Sequence, residues 1–291
     1  MIKLVACDLD GTLFNSNITV SDENVAAIKV AQKSGIEFLV ATGRSPEQSR
    51  KVIKDFGINT GFININGALV FDANGKLQVK NPLPTTKAKQ VADILDRHHI
   101  YYELVTSDLI FSKDISQRVV NLARALTALN PRLSFKKAVA TAAGSNAMLS
   151  MTYVDSFTDL LNDPELEVMK IISFDGHGPE AFVEAKKEIM ALGDVAVTSS
   201  SPANIEINDA KAQKGPALME YAKKKGLKRE EVAAIGDNLN DESMIRDAGT
   251  GVAMGNAVPA IKKLAQVQTK TNDENGVAYI LKQFISENAK E

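Results

Sequence analysis

Two aspartates separated by one residue, Asp8 and Asp10, follow a short apolar run, IKLVAC, and precede Gly11 and Thr12. In an extended segment residues i and i+2 point the same way, so both carboxylates are expected to face one site. Such a pair suits Mg²⁺, a hard cation that takes oxygen ligands. It equally suits a division of labour between nucleophile and general acid/base. A bare Asp-x-Asp is also the pattern of a solvated acidic turn, and taken alone that reading is the commoner. Thr42-Gly43-Arg44 follows a second apolar run. A hydroxyl beside an unencumbered glycine N–H would form a small oxyanion cradle, although a strand-to-helix turn with a solvated Arg44 has the same sequence. Lys214-Gly215 opens a predicted helix, where a cation opposes the helix dipole and hints at an anionic partner. Gly236-Asp237-Asn238-Leu239-Asn240-Asp241 follows VAAI and reads as a metal site or a helix-capping turn. Each segment is weak alone. All four fall at a predicted strand end or helix start, where open parallel sheets bind ligands.

The elements that must carry these residues alternate. Residues 2–7 read as a buried strand, and Ser21 opens a helix that stops at Gly35. Residues 36–42 form the next strand, and Pro46 sits in the first turn of the next helix. The C-terminal third repeats this grammar, with helix 214–225, strand 232–237, helix 239–247, strand 251–254, helix 257–264 and a last helix near 276–287. Short strand–helix–strand connections predict a Rossmann-like, doubly wound parallel sheet. The middle differs: two strand-like runs flank a glycine, a turn lies at Asp72–Gly75, and after Pro82 and Pro84 helical and strand patterns alternate through about 190. The expected organisation is an α/β core of residues 1–82 and 192–291, interrupted by an α+β domain over 83–191.

Composition narrows the function classes. The 291 residues carry 34 basic and 36 acidic side chains, so the basic excess of a non-specific nucleic-acid binder is missing. Tryptophan is absent and aromatics are 5%, which argues against a base-stacking platform. No apolar run nears the roughly 20 residues that span a bilayer, and Asp8 and Asp10 interrupt any secretory h-region. A cytoplasmic location is expected. The single Cys7 allows no intrachain disulfide and no Cys-cluster metal site. Gly249-Thr250-Gly251 with Gly255 nearly mimics a dinucleotide fingerprint, but its third glycine comes one residue late. His98, His99 and His177 have no metal-ligand spacing.

Together, Asp8–Thr12, Thr42–Arg44, Lys214 and Gly236–Asp241 resemble the four motifs of the haloacid dehalogenase (HAD) superfamily. The insertion, with NGA (66–68), SSSP (199–202), EI (206–207) and GVAMGNA (251–257), resembles its Cof-type, subclass IIB, sugar phosphatase-like members. The resemblance implies the HAD fold with a C2-type cap and a phosphoric monoester hydrolase that uses Mg²⁺. It makes Asp8 the nucleophile and Asp10 the acid/base. It assigns Leu9, Thr42, Gly43, Arg44, Lys214 and Asn240 to the phosphoryl group. The metal set it implies is Asp8, Asp237, Asp241 and the backbone carbonyl of Asp10, with Asp241 orienting Lys214 or supporting the metal shell. The implied partner is a small phosphoester, not nucleic acid or membrane, and the cap is expected to act as a lid. Two alternatives remain beside it: a phosphomutase using the same aspartyl-phosphate, and a phosphate-binding regulator without turnover. Retention of Asp10 with Lys214 and Asp237 argues against the regulator.

Overall fold

A computed structural model describes the chain except residues 131, 146, 147, 149, 150, 201, 202 and 291. Two residues of the SSSP string, Ser201 and Pro202, therefore lie outside the described residues. The first segment runs β1 (Leu4–Asp8), α1 (Asp22–Lys33), β2 (Glu37–Ala41), α2 (Pro46–Lys54), β3 (Gly61–Asn64), β4 (Leu69–Phe71) and β5 (Leu77–Lys80). The insert follows with α3 (Thr85–Arg97), β6 (Tyr102–Val105), β7 (Ile110–Ser112), α4 (Ile115–Leu129), α5 (Phe135–Ala143) and β8 (Met151–Tyr153). It continues with α6 (Phe157–Leu161), β9 (Lys170–Phe174), α7 (Val183–Ala191), β10 (Val195–Thr198) and β11 (Asn204–Asp209). The chain returns through α8 (Lys214–Lys224), β12 (Val232–Gly236), α9 (Glu242–Asp247), β13 (Thr250–Ala253), α10 (Pro259–Leu264), β14 (Val267–Gln268) and α11 (Gly276–Asn288).

Local chemistry sets these boundaries. Ser21 accepts a hydrogen bond from Asn24 N and caps α1, and Ser45 with Gln48 forms a capping box ahead of Pro46. The turn after β4 is closed by Asp72, whose Oδ1 accepts from Asn74 N and Lys76 N. The helix expected from 239 begins later. Leu239–Asp241 form a separate tight turn, and α9 starts at Glu242.

The chain divides into two compact units, residues 1–81 with 211–291, and residues 82–210. In the first, the described strands order as β14-β13-β12-β1-β2-β3-β4-β5. Pairing is parallel from β14 to β3 and antiparallel at β3–β4 and β4–β5. All residues of β1 and β12 are buried, as a sheet covered on both faces requires. Crossovers leave β1 in opposite directions, toward β2 and toward β12, so the switch point lies at the carboxyl end of β1. In the second unit the described strands order as β10-β11-β9-β6-β7-β8, antiparallel except β7–β8. One sheet face carries Tyr102, Leu104, Ile171, Ile205 and Ile207, which join α3 and α7 in the unit's core.

This topology corrects the second domain boundary. The sequence suggested a return to the core near 192, yet β10 and β11 pair in the insert's sheet and the return comes at 211. The reason is visible in NIEIND, where alternating Ile205 and Ile207 with Asn204, Glu206 and Asn208 fit an antiparallel sheet with one apolar face. Among the described residues, no helix is long and apolar enough to cross a membrane.

Candidate active site

Three strands of the first unit end together. The register aligns Cys7 with Ile235 and Asp8 with Ala41, so Asp8, Thr42 and Asp237 all emerge at one edge of the sheet. Lys214, first residue of α8, is fully buried. Its Nζ donates to Asp8 Oδ1 at 2.5 Å and to Asp241 Oδ1 at 2.7 Å. Asp241 Oδ2 accepts from the backbone N–H of Asp237 at 2.9 Å and of Asn238 at 3.1 Å. Asp241 therefore ties the ammonium to the turn that carries Asp237. Lys211, the other lysine in that stretch, is exposed.

Two glycines make this approach feasible. Gly11 has φ +87°, and a Cβ there would lie 2.6 Å from Asp237 Oδ2. Gly67, in the NGA string, has φ +114°, and its Cβ would meet the carbonyl oxygen of Gln213 at 2.5 Å, one residue before Lys214. Each position combines a conformation that L residues avoid with a contact that leaves no room for a side chain.

The carboxyl oxygens of Asp8, Asp237 and Asp241 can all lie within 4.8 Å of one another. Burial and then the neighbouring Asp241 push the Asp8 carboxyl well above its ordinary range, against the opposing pull of Lys214. Asp237 is pushed up to about 6, by burial and then Asp241, against the hydrogen bond from Thr12. Burial would lower the Lys214 ammonium, but Asp241 and Asp8 outweigh it and hold the charge. Burial, then Asp8, pushes the Cys7 thiol up, so the thiol is a poor nucleophile. Three carboxylates around one ammonium carry a formal excess of two negative charges. This oxygen-only donor set fits a hard divalent cation.

Asp10 departs from the expectation that it shares a face with Asp8. β1 ends at Asp8, and Leu9–Leu13 form a tight turn closed by Phe14 N to Leu9 O. Within it Asp10 is half-exposed, and its two oxygens accept from Arg44 Nε at 2.9 Å and Nη2 at 2.6 Å. The extended period fails because Gly11 turns the chain. Asp10 still lies close enough to Asp237 to contribute to that group's raised pKa. Arg44 is thus engaged with Asp10, and its carbonyl oxygen accepts from Asn64 Nδ2. Thr42 is buried, its Oγ1 accepting from Arg44 N at 3.2 Å and its carbonyl from Asn66 N. Gly43 lies between them. The Leu9 side chain is in the apolar core, so only its backbone is left for a ligand. Asn240 is half-buried, with no side-chain hydrogen bond among the described residues.

Reading the sequence missed two supporting groups. Thr12 Oγ1 donates to Asp237 Oδ1 at 2.7 Å, and Asn256 Nδ2 donates to Gly11 O at 2.8 Å. Both lie inside strings already noticed, Asp8–Thr12 and GVAMGNA. Their partners are 225 and 245 residues away, beyond any local pattern.

The sequence pattern of the haloacid dehalogenase-like hydrolases matches residues 5–281. The chain is 36% identical to the phosphatase YwpJ of Bacillus subtilis, over 98% of this chain and all of that one. It is 32% identical to the 5-amino-6-(5-phospho-D-ribitylamino)uracil phosphatase YwtE of the same organism, over 98% of this chain and 99% of that one. A solved haloacid dehalogenase-like hydrolase from B. subtilis superposes with a TM-score of 0.83 at 36% identity, over 97% of this chain and 99% of the other.

Proposed function

This chain belongs to the haloacid dehalogenase-like hydrolases, among their Cof-type phosphatases, and on that premise we propose a Mg²⁺-dependent phosphatase acting on small phosphomonoesters, sugar phosphates or similar metabolites, through a phosphoryl group carried on Asp8. One observation supports this reading above others: the buried Asp8–Lys214–Asp241 chain beside Asp237, at the switch point of the sheet. A structural ion pair would need neither the third carboxylate nor the excess negative charge.

Lys214 holds Asp8 Oδ1, which leaves Oδ2 as the oxygen that attacks phosphorus. The phosphorus–oxygen bond to the leaving group breaks, and Asp10 gives that oxygen its proton. Asp10 then takes a proton from water, the water oxygen attacks phosphorus, and the Asp8–phosphorus bond breaks to release phosphate. For both transfers the Asp10 side chain must exchange its Arg44 contacts for the reacting oxygens. Thr42 Oγ1, the Gly43 N–H and Lys214 Nζ are the donors for the phosphoryl oxygens, with Asn240 at the rim. Asp8, Asp237 and the Asp10 carbonyl would hold Mg²⁺, and Asp241 fixes Lys214 and the Asp237 turn. The metal, when bound, offsets the repulsion between the Asp8 carboxylate and a phosphate dianion. Preorganised charge at this edge supplies most of the rate enhancement.

YwtE carries a ribityl phosphate substrate in its name, and a phosphate on a small polyol is the substrate class proposed for this chain. The insert, residues 82–210, is proposed to choose among leaving groups while the first unit handles phosphorus. Asp8→Asn tests the covalent step, because an amide lacks the nucleophilic oxygen at nearly unchanged volume. Turnover of p-nitrophenyl phosphate should vanish, and mass spectrometry of acid-quenched wild type should find phosphate on the peptide that contains Asp8. Activity within about tenfold of wild type would refute the assignment.

A further inference from the structure

The oxygens proposed to hold Mg²⁺ come from two places in the first unit, the turn after β1 and the end of β12. In that turn the Asp10 carbonyl is joined to the Gly11 carbonyl only through the two rotatable bonds of Gly11, and glycine has the freest backbone of any residue. A carbonyl ligand beside a glycine keeps its direction only if the glycine is held from outside. Asn256 holds it. Its Nδ2 donates to Gly11 O at 2.8 Å, and its Oδ1 accepts from Asn272 N at 3.0 Å. These two contacts also fix which end of the amide is which, since a flipped amide would set donor against donor and acceptor against acceptor.

Asn256 lies in the segment 254–258, between β13 and α10, which also grips the other ligand. Met254 N donates to Gly236 O at 3.0 Å and Val258 N to Asp237 O at 2.9 Å. Gly255 N donates to Lys270 O at 2.9 Å and anchors the segment, and Thr12 Oγ1 closes the circuit at Asp237 Oδ1. One short segment therefore holds Asp237 by its main chain and Gly11 by a side chain, which sets the span between them. Mg²⁺ demands oxygens at about 2.0–2.1 Å in near-octahedral order, whereas Ca²⁺ accepts about 2.3–2.6 Å and a flexible arrangement. A span that is held favours the smaller, stricter ion, and one that can widen favours the larger. We propose that Asn256 is a positioning residue that selects Mg²⁺ over Ca²⁺ by clamping Gly11, and with it the Asp10 carbonyl, at a fixed distance from Asp237. It acts through Gly11 and offers no ligand of its own. The inference rests on the Mg²⁺-dependent reading above and adds which residue makes the site strict.

Calorimetry on the metal-free full chain measures Mg²⁺ and Ca²⁺ binding directly, without turnover. Asn256 is exposed, so its substitution leaves the core alone, and circular dichroism with melting in EDTA establishes that each variant is folded. Asn256→Ala removes the clamp. Asn256→Asp keeps the size and the acceptor for Asn272 N but sets an oxygen against Gly11 O. Its added charge attracts both divalent ions alike, so the ratio of the two dissociation constants isolates the clamp. Asn272→Ala removes a neighbouring strap, the bond from Asn272 Nδ2 to Phe14 O at 3.0 Å, and keeps the backbone N–H that Asn256 uses.

In both Asn256 variants the preference for Mg²⁺ over Ca²⁺ should fall by roughly tenfold or more, the usual effect of losing a group that orients a metal ligand. Asn272→Ala should keep the wild-type ratio. Affinities for both ions that drop by one common factor, or do not drop at all, would overturn the proposal and reduce Asn256 to a structural contact. That result would leave the phosphatase reading standing, provided that wild type hydrolyses p-nitrophenyl phosphate with Mg²⁺. An equal fall in Asn272→Ala would assign the effect to the loops as a whole and remove it from Asn256. Wild type that neither binds Mg²⁺ nor hydrolyses p-nitrophenyl phosphate would refute the phosphatase reading, and the clamp with it.

Discussion

Replacing Lys214 by methionine should unbalance the catalytic edge in a way that a metal can partly repair. The ammonium is fully buried and bridges Asp8 and Asp241 at 2.5 and 2.7 Å. Without it, carboxyl oxygens within 4.8 Å of one another face each other with no fixed cation. One such pair repels by about 3.5 kcal/mol at an effective dielectric constant of about 20. Removing one partner of a buried ion pair typically costs about 3–5 kcal/mol. The expected loss in urea unfolding of the first unit, measured in EDTA, is in that range. Saturating Mg²⁺ should recover part of it, because a divalent cation offsets the same excess charge, and should stabilise the variant more than wild type. Turnover should fall by roughly 10²–10³ from the lost contact to the phosphoryl group. A variant within about 1 kcal/mol of wild type in EDTA, with no extra response to Mg²⁺, would refute the charge-balance reasoning.

Gly11→Ala should cripple the site without touching a reactive atom, since its Cβ would stand 2.6 Å from Asp237 Oδ2 at φ +87°. The expected result is a weakened Mg²⁺ response, and an alanine variant with wild-type activation would show that the turn can relax. Asp237→Ala should lower Mg²⁺ affinity sharply by removing a carboxylate ligand, and an unchanged activation curve would move the metal elsewhere. Glu103 gives a pH signature, because burial, only partly opposed by Arg118, raises its carboxyl above the ordinary value. Between the unfolded and the raised folded pKa the folded chain binds more protons, so this group's contribution to stability grows as pH falls from neutral through that window. Glu103→Gln should show a smaller stability gain on acidification than wild type, and equal slopes would refute it.

The sequence by itself determined where the chemistry lies, because the signals are local. Strand and helix periods, the Ser21 and Ser45 caps and the strand-end strings before Asp8, Thr42 and Asp237 depend on neighbours a few residues away. Tertiary structure decided how those residues meet. Lys214 reaches Asp8 across 206 residues and Asp241 across 27, and it does so because the strand order sets β12 against β1. The direction of Asp10 followed from the turn at Gly11 and from Arg44, 34 residues away, rather than from the two-residue period of a strand. The domain return turned on NIEIND, whose alternation and hairpin partner β10 are local but whose second partner strand, β9, is not. The buried amide of Asn121, which has no hydrogen-bond partner among the described residues, was illegible for the same reason: a helix period says which face a side chain occupies, and only the packed structure says whether a partner is there.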